Sequence, residues 1–215
     1  MMRLRYTPIK GYVHTIEAVI NYGDLRGRFR LAANDPFHTD NGLPETNPLS
    51  TVPTLELADG TPLYGGPVIY EYLDGLHAKP KLFPPGDRLL TIRRQLWLAD
   101  AIFDHYVRLV VEAREPAANL RQPYLERFFG KVLRSLDAFE AEVGHFPAAL
   151  DIAQVRLVGA LAFIEERLPG VAAKVNNLIP THRWRDGRPQ LVAWYERRAQ
   201  DPIFTTNIAP DLQRP

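Results

Sequence analysis

The sequence of 215 residues contains no cysteine. This absence excludes disulfide bonds, zinc sites with cysteine ligands, iron–sulfur clusters and any catalytic cysteine. The six histidines are spread along the chain, without a close pair at the spacing of metal ligands. We therefore predict no metal site, and we expect any chemistry to use hydroxyl, ammonium, carboxylate or backbone groups.

An excess of charge and long hydrophobic runs are also missing. The 26 lysines and arginines oppose 25 aspartates and glutamates, so no global field would attract nucleic acid or an anionic membrane. The longest nearly uncharged stretch, 155–164, is far shorter than the roughly 20 residues that span a bilayer, and the N-terminal residues do not resemble a signal peptide. We expect a globular cytoplasmic protein with no nucleic-acid or membrane partner.

The first part of the chain carries patterns of both strand and helix. Alternating apolar residues predict a strand over 2–6, and apolar residues three and four apart predict a helix over 12–22. A second strand is expected at 28–31. Asp59–Gly60, between two short apolar segments, predicts a β-hairpin, and Gly66–Pro67 predicts the start of a helix. Together these elements indicate a small α/β domain.

A proline-rich segment, 79–87, separates this part from a region whose apolar pattern is helical throughout. The helix that starts at Asp151 is apolar on nearly every side, so we expect it at the centre of a core, ending at Pro169–Gly170. We predict an α/β domain over 1–78, a linker over 79–87 and an all-α domain over 88–215. The helices expected in the second domain cover residues 89–110, 128–143, 151–168 and 189–199.

This order of elements resembles that of the glutathione transferase superfamily. The segment Asn47–Leu55 is similar to the family's Asn-Pro-x-Gly-Lys-Val-Pro-x-Leu, and Trp184–Pro189 resembles the C-terminal motif of bacterial members. The resemblance covers nearly the whole chain. It implies a thioredoxin-like N-terminal domain, a helical-bundle C-terminal domain, a homodimer, and glutathione as a co-substrate with no covalently bound cofactor.

The residues that would bind glutathione depart from the family pattern. Val52 and Pro53 keep the family's Val-Pro, in which a cis-proline lets the valine backbone pair with the cysteinyl part of glutathione. The Asp/Glu-Ser pair that holds the γ-glutamyl end is replaced by Gly65 and Gly66, which lack the carboxylate and the hydroxyl. The lysine before Val-Pro is Thr51. The resemblance therefore implies a divergent glutathione site.

The catalytic position differs as well. The serine that stabilises the glutathione thiolate in serine-type members aligns with Lys10. An ammonium group at this place would lower the pKa of a bound thiol or pair with a carboxylate, whereas a solvated surface lysine would do neither. Tyr6, at the end of the first strand, and Thr7 are further catalytic hydroxyls to consider, although Tyr6 also fits an inward strand residue.

Three aromatic residues of the helical domain, Trp97, Phe103 and Tyr106, lie where family members line the pocket for the apolar co-substrate, although aromatic residues at helical spacing also occur as plain core. Two functions follow. The first is conjugation of glutathione to an apolar electrophilic small molecule. The second is a non-catalytic or repurposed member of the family that binds a ligand or another protein.

Overall fold

The computed structural model of the protein describes residues 1–7, 11–34, 42–175, 178 and 184–206. The chain divides into two compact units. The first is formed by the residues up to Leu89 together with the segment that begins at Asp201, and the second is Leu90–Gln200. The domain limits predicted from the sequence, 1–78 and 88–215 with a linker at 79–87, stay a prediction.

The first unit is built on a four-stranded mixed sheet with strand order β2-β1-β3-β4. The central strand β1 pairs in parallel with β2 and antiparallel with β3, which in turn pairs antiparallel with β4. Leu4 of β1 and Leu55 of β3 are opposite each other and both are buried, so the core of the unit lies on this face. The elements are β1 (Met2–Tyr6), α1 (Tyr12–Tyr22), β2 (Phe29–Ala33), β3 (Thr54–Glu56), β4 (Pro62–Tyr64) and α2 (Gly66–Gly75).

The hairpin predicted at Asp59–Gly60 is confirmed. Gly60 has a φ of 89°, a conformation that glycine adopts without strain, and the Asp59 carboxylate accepts the N–H of Thr61 at 2.9 Å. These local bonds close the turn between β3 and β4.

The described residues of the second unit form four α-helices, and the predicted helical pattern is confirmed. Residues 152–164 of α5 are buried on every side, as the apolar sequence predicted for a helix at the centre of a core. Asp151 caps this helix, because its carboxylate accepts the N–H of Gln154 at 3.0 Å. The helices are α3 (Leu89–Glu112), α4 (Gln122–Glu142), α5 (Ile152–Val175) and α6 (Pro189–Arg198).

The predicted end of α5 at Pro169–Gly170 is wrong. The helix continues to Val175, with Pro169 inside it. A proline removes one backbone hydrogen bond and crowds the preceding turn, but Val171 and Val175 lie four residues apart and are both buried. Burial of these two side chains offsets the cost of the proline, which the sequence pattern alone did not indicate.

The bacterial-type motif near the C-terminus fixes the segment before α6. Trp184 is buried, and the Arg185 guanidinium lies 4.5 Å from its ring while pairing with Glu165 and Glu196. Arg188 donates to the Trp184 carbonyl at 3.1 Å. The motif therefore has a structural role in this chain.

A last short helix, α7 (Pro202–Thr205), packs against α1 of the first unit. Asn21 of α1 donates to the carbonyls of Ile203 and Thr206 at 2.8 and 2.7 Å. The described helices include none that is both long and apolar enough to cross a membrane.

Candidate functional site

Three segments that the sequence singled out meet at one end of the sheet. Thr54 is the residue of β3 that pairs with both Arg5 of β1 and Tyr64 of β4. Because both pairings are antiparallel, the residues that follow β1, precede β3 and follow β4 lie at the same end. The structure thereby brings together Tyr6 and Thr7, Val52 and Pro53, and Gly65 and Gly66.

The start of α1 adjoins the same place. Gly11 precedes α1 with a φ of 125°. The next residue, Tyr12, lies against Gly66, since a Cβ atom built on Gly66 would be 2.7 Å from two carbons of the Tyr12 ring. Lys10, the predicted thiolate-stabilising residue, lies outside the described residues.

The Val52–Pro53 peptide bond is cis, as the sequence motif predicted. The loop before it is organised by Asn47, which is fully buried. The Asn47 amide donates to the Thr51 carbonyl and to the Thr54 hydroxyl, both at 3.0 Å, and its oxygen accepts the N–H of Leu49 at 2.9 Å. Asn47 therefore positions the backbone of the candidate site, a role that its place in the Asn-Pro motif signals.

Gly65 and Gly66 form the N-terminus of α2 without any side-chain cap. Gly65 has a φ of 86°, which disfavours a side chain, although the space beside it is open. Gly66 is enclosed, because its Cβ position lies 2.7 Å from both the Tyr12 ring and the Tyr70 hydroxyl oxygen. Pro67 follows and carries no N–H. The two glycines thus offer a ligand backbone groups alone.

Tyr6 and Thr7, at the end of β1, differ in how far their hydroxyl groups are free to hydrogen-bond to a ligand. Thr7 donates its hydroxyl proton to the Asn34 carbonyl at 2.7 Å, while the N–H of Asn34 bonds back to the Tyr6 carbonyl at 2.7 Å. The Thr7 oxygen can still accept a hydrogen bond, but its proton is already engaged. The Tyr6 side chain is 1% exposed, so a ligand would reach its hydroxyl by entering the core side of the sheet.

The three predicted aromatic residues of the pocket have different surroundings. Phe103 and Tyr106 both contact the Phe163 ring, with centroid distances of 4.6 and 6.1 Å. Burial, with a smaller effect of the Glu165 carboxylate, raises the pKa of Tyr106 well above its ordinary value. The buried Tyr106 hydroxyl has no hydrogen-bond partner among the described residues. Trp97 differs from the other two, because its side chain is 72% exposed.

These groups offer a small molecule backbone hydrogen-bonding partners at the sheet end. Over the described ranges, no three histidine, aspartate or glutamate side chains are grouped so that they could ligate an ion.

Comparison with known proteins gives matches in both units. Residues 11–76 match the family described as glutathione S-transferase, N-terminal domain, and residues 122–197 match glutathione S-transferase, C-terminal domain. The chain is 35% identical over 106 residues to the uncharacterized GST-like protein YibF of Escherichia coli strain K12. This match covers 49% of the chain and 52% of YibF, about half of the relative's length.

Solved structures agree with these matches. A glutathione transferase family member from Pseudomonas fluorescens Pf-5, crystallised with bound glutathione, has a TM-score of 0.81 and 28% identity, and the match covers 95% of this chain and 97% of that one. A glutathione S-transferase from Methylobacillus flagellatus KT has the same fold, with a TM-score of 0.80, 23% identity, and coverage of 95% and 97%. The N-terminal α/β unit and the helical unit are those of this fold, and the chain belongs to the glutathione S-transferase superfamily.

Proposed function

We propose that this glutathione transferase-like protein conjugates glutathione to an apolar electrophile, using a divergent glutathione site. The observation that carries the proposal is the meeting of Val52–cis-Pro53, the N-terminus of α2 and the end of β1 at one end of the sheet. The similar protein from Pseudomonas fluorescens has bound glutathione, which supports glutathione as the co-substrate of this chain.

In the proposed complex, backbone groups hold the peptide. The Val52 backbone pairs with the cysteinyl part, and the free N–H groups at the start of α2 face the γ-glutamyl carboxylate, where a helix N-terminus favours an anion. The side chains that would add charged hydrogen bonds are absent at Gly65 and Gly66. Such bonds contribute about 1.5–3 kcal/mol each, so we expect binding weaker than at a site with both groups.

Activation of the thiol is assigned to Lys10. A nearby ammonium group stabilises a thiolate and lowers the pKa of the thiol from its usual 8.5 or so. The alternatives within the site are a backbone N–H, the buried Tyr6 and Thr7, whose proton is already donated to Asn34. The apolar electrophile is assigned to the side chains of Phe103 and Tyr106, and the buried Tyr106 hydroxyl offers it one hydrogen bond.

A second function, ligand or protein binding without conjugation, is favoured by one specific observation. The Tyr12 ring and the Tyr70 hydroxyl occupy the space of a side chain at Gly66, so the γ-glutamyl end meets no side-chain hydroxyl from that position.

Calorimetry with glutathione, together with a conjugation assay on a generic aryl halide, separates the two functions. The transferase predicts binding at millimolar concentration or tighter and measurable conjugation. Lys10→Ala is expected to lower turnover and to move the pH–rate profile to higher pH, whereas Lys79→Ala, which removes an exposed lysine paired with Asp24, is the matched control. Absence of both heat and conjugation would exclude the transferase, and an unchanged profile in Lys10→Ala would exclude Lys10 alone.

We also propose that the protein is a cytoplasmic homodimer. Support comes from α3, where Leu90 and Trp97 are exposed apolar residues seven apart and Val111 lies on the same face beyond Asp104. Residues at that spacing lie along one face of a helix, and a row of exposed apolar side chains is typical of a surface that another protein covers.

A further inference from the structure

A basic surface of the helical unit is centred on the Phe128 ring of α4. The Arg108 guanidinium of α3 lies 5.2 Å from the centre of this ring, and the Lys131 ammonium lies 5.0 Å from it. The His105 ring contacts Phe128 edge-on at 5.4 Å and Tyr124 contacts it at 4.6 Å. One aromatic ring therefore holds two cations of different helices in fixed positions.

Two more arginines extend the surface along α4. Arg127, Lys131 and Arg134 are separated by four and three residues, so they lie on one face and span about 10 Å of helix. Arg134 leans back along the helix, since its Nη1 atom is 3.2 Å from the Cβ position of Gly130. We call Arg108, Arg127, Lys131 and Arg134 the basic cluster.

The charges of the basic cluster are not compensated within the described part of the chain. None of its four members has an ion pair there, in contrast to the neighbouring Arg121, which is bound by Glu112. The nearby acids are Asp104, one turn before Arg108, Glu126, which accepts a bond from Gln122, and Asp137, one turn after Arg134, which pairs with Arg188. The whole chain has a net charge of only +1, so this concentration of cations is local.

The half-buried His105 ring lies close to the same charges. Burial, and then the charges of Lys131 and Arg108, lower the pKa of His105, while Asp104 acts in the opposite direction. Its Nδ1 atom is buried and has no hydrogen-bond partner among the described residues. A neighbouring anion would relieve this repulsion, which makes His105 a reporter for binding.

We propose that the basic cluster binds a small molecule that carries several linked phosphate groups. Contact with the Phe128 ring holds the Arg108 guanidinium and the Lys131 ammonium in place, and guanidinium groups match the oxygens of phosphate. The contacts around Phe128 are already made by protein groups, so the surface recognises charge and not an apolar ring. Because three of the cations are spread along α4 and the fourth, Arg108, is on α3, linked phosphates engage several of them and a single phosphate engages few.

The test is binding of tripolyphosphate, ATP and orthophosphate to the full chain at an ionic strength of about 0.01 M, where charges act over about 30 Å. Tripolyphosphate and ATP are expected to bind with similar Kd values at or below about 1 mM, and orthophosphate about tenfold more weakly. Binding of ATP without binding of tripolyphosphate would show that the nucleoside is recognised and would overturn the proposal.

Variants locate the site. The double variant Arg108→Gln/Lys131→Gln is expected to weaken tripolyphosphate binding about tenfold, while Arg28→Gln, which removes an exposed arginine of the first unit, is expected to leave it unchanged. Equal weakening in both variants would mean that the attraction is non-specific.

A second check needs no variant of the basic cluster. Tripolyphosphate should raise the pKa of His105, followed by NMR, by about 0.5–1 unit. An unchanged His105 signal at saturating ligand would place any binding elsewhere.

Discussion

Gly66 is the residue at which the candidate site differs most clearly from a site with a serine. The position that a Cβ atom would take is 2.7 Å from the Tyr12 ring and from the Tyr70 hydroxyl oxygen, closer than a real Cβ atom approaches such neighbours. Gly66, Tyr12 and Tyr70 therefore form one packed group, and a change at one of them requires a change at another.

Restoring the serine alone is expected to destabilise the protein. Gly66→Ser forces the Tyr12 ring to move, and overpacking of this kind costs about 1–3 kcal/mol. For a chain of this length each kcal/mol corresponds to about 2–4 °C in the unfolding midpoint, which thermal denaturation measures. The matched control is Gly75→Ser in the same helix, where nothing lies within 4 Å of the Cβ position.

The double variant Tyr12→Ala/Gly66→Ser tests the cause. If the Tyr12 ring causes the loss, Gly66→Ser should lower the unfolding midpoint much less in the Tyr12→Ala protein than in the unmodified protein. If Gly66→Ser and Gly75→Ser have the same midpoint, the enclosure of Gly66 does not limit what position 66 can hold.

Ser50 is strained by its backbone conformation. It has a φ of 48° in the loop that precedes the cis-proline, and its N–H donates to the Asn47 carbonyl at 2.8 Å. Because residues with a Cβ lose roughly 1–2 kcal/mol in the left-handed region, Ser50→Gly is expected to raise the unfolding midpoint by a few degrees. Ser50→Ala keeps the Cβ and should not do so. Equal midpoints for the two variants would contradict the argument.

At the scale of elements, α3 and α4 are joined near both of their ends. Glu112, the last residue of α3, accepts the Arg121 backbone N–H at 2.9 Å and pairs with its guanidinium. At the other end, Glu142 of α4 accepts bonds from Arg94 at 2.9 Å and from Gln95 at 2.7 Å. Two carboxylates therefore set how the two helices lie against each other.

The first of these contacts makes stability depend on pH. Hydrogen bonds from the Arg121 side chain lower the pKa of Glu112 below its usual value. A carboxyl group whose pKa is lower in the folded state stabilises the fold above the unfolded pKa of about 4.3, and this contribution disappears as the pH falls through the lower folded value.

Glu112→Gln is therefore expected to lower the unfolding midpoint by a few degrees at pH 7. The difference from the unmodified protein should shrink when the pH is brought below 4.3 or so. Thermal denaturation across this range, with Glu126→Gln as an exposed control on α4, measures it. A difference that stays constant with pH would mean that the Glu112 charge is not what stabilises the contact.

At the scale of the whole molecule, the proposed homodimer depends on the exposed apolar residues Leu90, Trp97 and Val111 of α3. Trp97 is 72% exposed and Leu90 is 79% exposed, although both are large apolar side chains. The sequence assigned Trp97 to the co-substrate pocket, and that role stays a prediction beside its proposed role in a homodimer.

Trp97→Ala is expected to convert the proposed homodimer to a monomer in light scattering coupled to size-exclusion chromatography, because it removes the largest apolar surface of the row. Thr91→Ala, an exposed substitution on the same helix, should leave the dimer intact. A monomeric unmodified protein would exclude the homodimer. A dimeric Trp97→Ala protein that has lost conjugation would instead favour the pocket.

Elements with a strong local pattern were predictable from the sequence. The strand over 2–6, the hairpin at Asp59–Gly60 and the buried first half of α5 depend on periodicity and turn residues, which act over a few neighbours. The end of α5 was missed because Val171 and Val175 are buried by packing that a local pattern does not contain, and that burial outweighs Pro169.

The candidate site was predictable in part for the same reason. The absence of cysteine, the Val-Pro motif and the two glycines are properties of the sequence. They determined that any thiol chemistry uses a bound thiol, and they predict that a γ-glutamyl site at Gly65 and Gly66 lacks a carboxylate and a hydroxyl. Only the tertiary structure decided that Tyr12 and Tyr70 enclose Gly66, that Thr7 gives its proton to Asn34, and that Asn47 orders the loop before Pro53. Those contacts join residues from separate segments, because strand register and packing bring them together at one end of the sheet.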